Sequence, residues 1–266
     1  MTNNTWTSLI LGLVEGITEF LPVSSTGHLI VIGDLLHFGG NFSKLFEVVI
    51  QFGAILAVVW LYRKKLLLTA TSLTTSTASR HFTLNVLLAF APAVFIGFAA
   101  HDFIKRVLFS PAVVGWALIV GGIAILVVER WRPKAYITSL EQMPLLSAFK
   151  IGFFQCLAMI PGTSRAGATI VGALLLGVTR EVATEFSFFL AIPTMAGATA
   201  LDLYKARHDL VGTDVGMLAF GFLVAFFSAL LVVKGLIGFV SRHGFTPFAW
   251  YRIIAGAGAL ALLYRA

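Results

Sequence analysis

The sequence predicts an all-α polytopic membrane protein. It forms one integral membrane domain over residues 1–266, with an inverted-topology repeat, six full spans and two re-entrant helix pairs. Three observations predict this. The chain is 58% hydrophobic and 12% charged, against about 25% charged for a soluble domain, and its mean hydropathy is +0.93. The apolar character is spread along the whole length. Stretches long enough to cross a ~30 Å hydrocarbon core recur at roughly 42–62, 83–100, 112–128, 182–203, 216–234 and 246–264. Two further apolar regions break this pattern: 6–37 is interrupted at Pro22, and 145–178 at "PGTSR", 161–165. Each half of these regions is about 15 residues, roughly 22 Å as helix, too short to cross comfortably. Such a segment enters, turns near mid-depth and leaves on the same side. Irregular backbone of this kind is tolerated where protein or water covers it.

The two interrupted regions resemble each other. "PVSSTG" (22–27) matches "PGTSRAG" (161–167), with Ser25 and Ser164 each three residues after a proline. "FSPAVVGWALIVGGIAIL" (109–126) aligns with "FTPFAWYRIIAGAGALAL" (245–262), an offset of 245 − 109 = 136, and "LYRK" (61–64) echoes "LYKA" (203–206). The chain reads as a tandem duplication, approximately 1–140 and 141–266. Each half holds one re-entrant pair and three spans. Three is odd, so the second half is expected to be inverted.

Loop charge agrees with this topology. Residues 63–81 carry Arg63, Lys64, Lys65 and Arg80 with no acid. Residues 129–150 carry Arg130, Arg132, Lys134 and Lys150 against Glu129 and Glu141. Both loops are expected on the cytoplasmic side. Loop 202–214, with Asp202, Asp209 and Asp214 against Lys205 and Arg207, is expected outside, as are both termini. The net charge of +7 then reflects loops facing anionic lipid, and no nucleic-acid partner is expected. A single cysteine, Cys156, excludes an intramolecular disulfide and a multi-cysteine metal site. The first residues lack a basic leader, and the apolar run behind them holds Glu15 and Glu19, so no cleaved signal peptide is expected.

The interruptions concentrate the chemistry. Glu15 and Glu19 are four apart and share one helix face. Two carboxylates in low dielectric repel unless a cation or proton lies between them, and intramembrane acids are candidate functional groups. The alternative is a solvated vestibule, or pairing with a distant arginine. Ser24 or Ser25 suits the cap of the second half-helix. Ser25 and His28 are three apart on that helix. They read either as a hydroxyl beside a base or as a cap plus a histidine bonded to a carbonyl. Arg165 starts another half-helix and needs an anion. Helix N-termini at Ser24/Ser25 and Ser164/Arg165 would aim N–H groups at one cavity, a receptacle for phosphate. Ser24, Thr26, Gly162 and Ser164 are further candidates to line it. On architecture alone, a lipid or anion transporter or flippase fits an inverted repeat with broken helices. Paired acids beside a serine and a histidine favour catalysis.

"GLVEGITEFLPVSSTGHLIV" (12–31) and "PGTSRAGAT" (161–169) closely resemble the two signature regions of the undecaprenyl-diphosphate phosphatase family, the bacitracin-resistance type. The resemblance covers essentially the whole chain, including "FEVVIQFGAILAVV" (46–59), "EFSFFLAIP" (185–193) and "GATALDLYK" (197–205). It implies a multi-pass enzyme of the bacterial inner membrane that removes one phosphate from the C55 isoprenyl diphosphate carrier. The product is the monophosphate used in peptidoglycan synthesis, and bacitracin resistance follows indirectly through the substrate. It implies a divalent cation, Mg2+ or Ca2+. It places the family's acids on Glu15 and Glu19, its serine and histidine on Ser25 and His28, and its arginine on Arg165. Ala166 stands where the family usually has serine. Under this resemblance Glu15 and Glu19 hold the cation, or one acts as base, and Ser25 attacks with His28 as proton shuttle. The rival assignment makes His28 the nucleophile and Ser25 a ligand. The site is expected to face the outer side.

Weaker features are read as structural. Glu47, four before Gln51, is expected to reach the head-group layer, and Asp202 and Lys205 to lie at an interface. Small residues in "GGIAIL" and "AGAGAL" suit close helix contacts, within the repeat or in a homodimer.

Overall fold

The computed structural model describes residues 2–107, 110–205 and 214–264; Phe109, Ala206, Arg207 and Asp209 lie outside the described residues. The described chain is helical: α1 Thr2–Thr18, α2 Ser25–Leu35, α3 Asn41–Leu61, α4 Arg63–Thr71, α5 Thr77–Val107, α6 Pro111–Trp131, α7 Leu145–Cys156, α8 Arg165–Leu175, α9 Arg180–Lys205, α10 Val215–His243 and α11 Thr246–Leu263. Among the described residues, six helical stretches are long and apolar enough to cross a membrane: Phe42–Leu61, Thr77–Ala99, Pro111–Trp131, Arg180–Tyr204, Val215–His243 and Thr246–Leu263. They fall on the six expected spans, and the chain is a multi-pass membrane protein.

Two boundaries differ from expectation. The stretch 63–81 is mostly helix, because its Lys, Arg and Leu residues are strong helix formers. α4 occupies Arg63–Thr71, and α5 begins at Thr77. α10 runs on to His243 and places Arg242 and His243 in its last turn, where cations suit the negative end of the helix dipole.

The shorter helices surround the two interruptions. α1 has 17 residues, α2 11, α7 12 and α8 11. α1 ends at Thr18, four residues before Pro22, so the proline sits inside the turn and does not itself end the helix. Ser24 caps α2, accepting from Gly27 N at 3.4 Å, and Ser164 caps α8, accepting from Gly167 N at 3.1 Å. Both serines hold left-handed backbone, φ 71° and 72°. For a residue with a Cβ this costs about 1–3 kcal/mol each. The caps align Ser24 with Ser164, an offset of 164 − 24 = 140. By position in the cap, Ser24 and Ser164 are alike, and Ser25 and Arg165 are each the first residue of a helix.

Packing joins early chain to late chain. α1 and α3 lie against α10, α6 against α11, α5 against α7, and α3 against α9. The α1–α10 approach is close: a Cβ on Gly16 would sit 2.4 Å from the Ala225 carbonyl oxygen. The main core gathers Phe20 from the first turn, Ala54–Val58 from α3, Ala166 and Ile170 from α8, and Phe186–Ala191 from α9. Phe20 thus anchors the first turn in the core, and Ala166 anchors α8 just after the second.

Candidate active site

Glu19 is the hub. It follows the last residue of α1, and its amide still bonds the Glu15 carbonyl at 2.9 Å, which carries the helical register one step further. One carboxylate oxygen accepts from Ser25 Oγ. The other pairs with Arg165 Nη2 at 3.2 Å, with both side chains buried. Arg165 is held on its remaining sides. Nη1 donates to the Ser187 carbonyl at 2.9 Å, the guanidinium lies 5.8 Å above the Phe20 ring, and Phe20 meets Phe188 edge-on at 5.6 Å. Thr169, one turn along α8, donates to Ser187 Oγ at 2.8 Å and steadies that partner.

Glu15 lies one turn before Glu19 and is 1% exposed. Its Oε1 finds no hydrogen-bond partner among the described residues, and neither does Arg165 Nε. Glu47, expected at the head-group layer, is half-buried. Among the described residues no three His, Cys, Asp or Glu side chains group as a metal site. The Glu15–Glu19 pair still fits a divalent cation. Mg2+ takes one or two carboxylates and fills its shell with water and substrate phosphate oxygens, and the unpartnered Glu15 oxygen suits a hard cation. Glu15→Gln should raise the cation concentration for half-maximal activity at least about tenfold. An unchanged titration curve with unchanged rate would make this carboxylate structural.

The other candidates fall in two groups. Ser24, Ser164 and Gly162 lie at the turns. Gly162 has φ 92°, and a Cβ there would meet the Val114 carbonyl at 2.6 Å, so its contribution is backbone shape. Ser164 Oγ also reaches the Leu21 carbonyl at 3.4 Å, tying one turn to the other. Thr26 is exposed. His28 is not brought to Ser25. Its Nδ1 lies 2.7 Å from the Ser24 carbonyl oxygen, and its Nε2 lies 2.6 Å from the Tyr251 hydroxyl, with the two rings stacked 5.5 Å apart. A carbonyl only accepts, so Nδ1 carries the proton and Nε2 accepts from Tyr251. With Tyr251, His28 lines a groove of 270 Å³ between α2 and α11. A larger, apolar groove of 690 Å³ runs between α6 and α8, beside Thr163 and Gly167.

Two residues escaped sequence reasoning. Tyr251 is signalled by nothing local to His28, 223 residues away. Arg252 is a fully buried arginine inside an apolar span; that composition was a usable signal.

This arrangement has known relatives. The family described as Bacitracin resistance protein BacA matches residues 8–258. The chain is 55% identical over 250 residues to Undecaprenyl-diphosphatase 2 of Paramagnetospirillum magneticum, covering 94% of this chain and 95% of that protein. It is 53% identical over 260 residues to Undecaprenyl-diphosphatase of Caulobacter vibrioides, covering 97% of each. It is 52% identical over 264 residues to the Cereibacter sphaeroides enzyme of that name, covering 99% and 98%. The family match takes in both interrupted regions, five spans and most of the sixth, and the chain belongs to the BacA bacitracin resistance family.

Proposed function

We propose that the protein hydrolyses undecaprenyl diphosphate to undecaprenyl phosphate and orthophosphate, returning the lipid carrier to peptidoglycan synthesis. The observation that carries this reading is the chain Ser25–Glu19–Arg165 between two capped helix N-termini. A hydroxyl bonded to a carboxylate is a nucleophile beside its base. An arginine with a free buried N–H, next to helix N-termini, is an anion receptor.

In this reading Ser25 Oγ attacks the terminal phosphorus, and its proton passes to Glu19. The bond to the bridging oxygen breaks, and undecaprenyl phosphate leaves. Water then hydrolyses the Ser25 phosphate ester and releases orthophosphate. Arg165 and the amides behind Ser24 and Ser164 hold the phosphoryl oxygens, since phosphoryl transfer is chiefly positioning and charge stabilisation. A divalent cation, Mg2+ or Ca2+, bound at Glu15 and Glu19 would neutralise phosphate charge. His28, bonded to the Ser24 carbonyl, shapes the cap. The apolar groove beside Thr163 suits the first isoprene units. The names of the relatives favour hydrolysis over the transporter alternative that the architecture alone suggests. Orthophosphate release from the C55 diphosphate by purified protein in detergent tests the reading, because transport needs two compartments and hydrolysis does not.

The matching caps at Ser24 and Ser164 support an inverted duplication of the two halves. With the basic segments 63–81 and 129–150 on the cytoplasmic side of the bacterial plasma membrane, the first turn faces out. Thr26 is the exposed residue beside the site. In a Cys156-free background, Thr26→Cys should react with an impermeant maleimide on intact spheroplasts. Labelling confined to inside-out vesicles would reverse this orientation.

A further inference from the structure

We propose that Arg252 is a positioning residue that locks the two interrupted regions together and sets the aim of both capped helix N-termini at the phosphate site. Arg252 sits in α11 and is 1% exposed. Its guanidinium offers five N–H donors, and each meets a different backbone carbonyl. Nε reaches Leu118 at 3.3 Å. Nη1 reaches Pro22 at 3.0 Å and Thr163 at 2.8 Å. Nη2 reaches Ala117 at 3.0 Å and Gly162 at 3.1 Å. Pro22 belongs to the first turn, Gly162 and Thr163 to the second, and Ala117 and Leu118 to α6.

Among the described residues no carboxylate pairs with this cation. A buried charge without a counter-ion is costly, and here carbonyl dipoles alone compensate it. Three of those carbonyls belong to turn residues, so the cation and the turns satisfy one another.

The position of these bonds matters more than their number. Thr163 immediately precedes Ser164, and Pro22 comes two residues before Ser24. Both serines hold left-handed backbone, a conformation that persists where its surroundings over-determine it. Arg252 supplies that constraint to both caps through one rigid plane. The space for it is kept by glycine: a Cβ on Gly121 would lie 2.0 Å from Nη2, and one on Gly167 3.1 Å from Nη1. None of its five bonds goes to Glu15, Glu19, Ser25 or Arg165. A lysine, with three donors on one point, cannot span the five acceptors.

This inference rests on the hydrolase reading for its kinetic arm, and a second readout is independent of activity. The full chain and its Arg252→Lys, Arg252→Met and Gly121→Ala variants would be compared in detergent for orthophosphate release and for amide hydrogen exchange. Arg252→Lys and Gly121→Ala should lower kcat about 10- to 100-fold with KM within about threefold. Exchange should quicken at 20–28 and 160–168 together, and not along α10. Gly121→Ala keeps the charge and moves the plane, so it tests the geometry if Arg252→Met fails to fold. Parental kcat and exchange in Arg252→Lys and Gly121→Ala would overturn the proposal. So would exchange spread evenly over α6 and α11 with unchanged activity per folded molecule, which is the signature of ordinary packing. If the parent releases no orthophosphate, the hydrolase reading fails, while exchange at the two turns still decides the clamp.

Discussion

Ser25→Ala should end turnover, lowering kcat for orthophosphate release by at least about 10³-fold, the scale for losing a nucleophile. The change removes one small polar group and leaves the Ser24 cap intact, so the protein should fold as the parent does. Glu19 would keep Arg165 and lose the hydroxyl it orients. His28→Ala is the informative companion. His28 bonds the Ser24 carbonyl and Tyr251 and not Ser25, so its loss should loosen the cap and leave measurable turnover. The opposite ranking, with Ser25→Ala active and His28→Ala dead, would move the nucleophile to the imidazole. Trapping the phosphorylated intermediate and locating it by mass would settle the same point directly.

Arg165→Lys should cost about 10²–10³-fold in kcat, comparable to removing a preorganised donor at a site of developing charge. The guanidinium reaches Ser187 with one nitrogen and Glu19 with another while its Nε–H stays unpartnered. An ammonium is a point charge, and meeting Glu19 would draw it away from Ser187. The loss should appear in kcat/KM for the diphosphate and leave folding close to parental, because the positive charge that balances Glu19 remains. Turnover near that of the parent would remove Arg165 from the phosphate site.

How much of this was legible in the sequence follows from the range of each signal. The six spans were readable because hydropathy is a local property, and their centres fall where expected. The two short-helix regions were readable from Pro22 and Pro161, although the first helix stops at Thr18, before its proline. Glu15 and Glu19 sharing a face followed from helical spacing alone. The partner of each group was not readable. Glu19 and Arg165 are 146 residues apart, and no local pattern says which of two acids an arginine will choose. The Ser25–His28 spacing was equally compatible with a bond and with none, and the hydroxyl turned to Glu19. That Ser24 and Ser164 share one cap geometry was not readable from the prolines, because the residue that turns left-handed is fixed by the cap and not by its distance from the proline. Arg252 shows the opposite failure: the signal was present, an arginine amid apolar residues with no acid nearby, and hydropathy averaging hid it.

The pairing of early helices with late ones has a consequence for how the protein is made. α1 waits for α10, α6 waits for α11, and Pro22 waits for an arginine 230 residues downstream. At about 5–20 residues per second, that separation corresponds to about 12 to 46 seconds of synthesis. For the first part of that interval Glu19 is made and Arg165, 146 residues later, is not; for all of it the first turn lacks Arg252. Until α10 and α11 are made, the first segment lacks the helices it packs against and the arginine that holds its turn. Truncations that stop before α11 should yield a chain that is inserted, unassembled and open to membrane proteases, so quality control can read completion of the polypeptide from the burial of its first twenty residues.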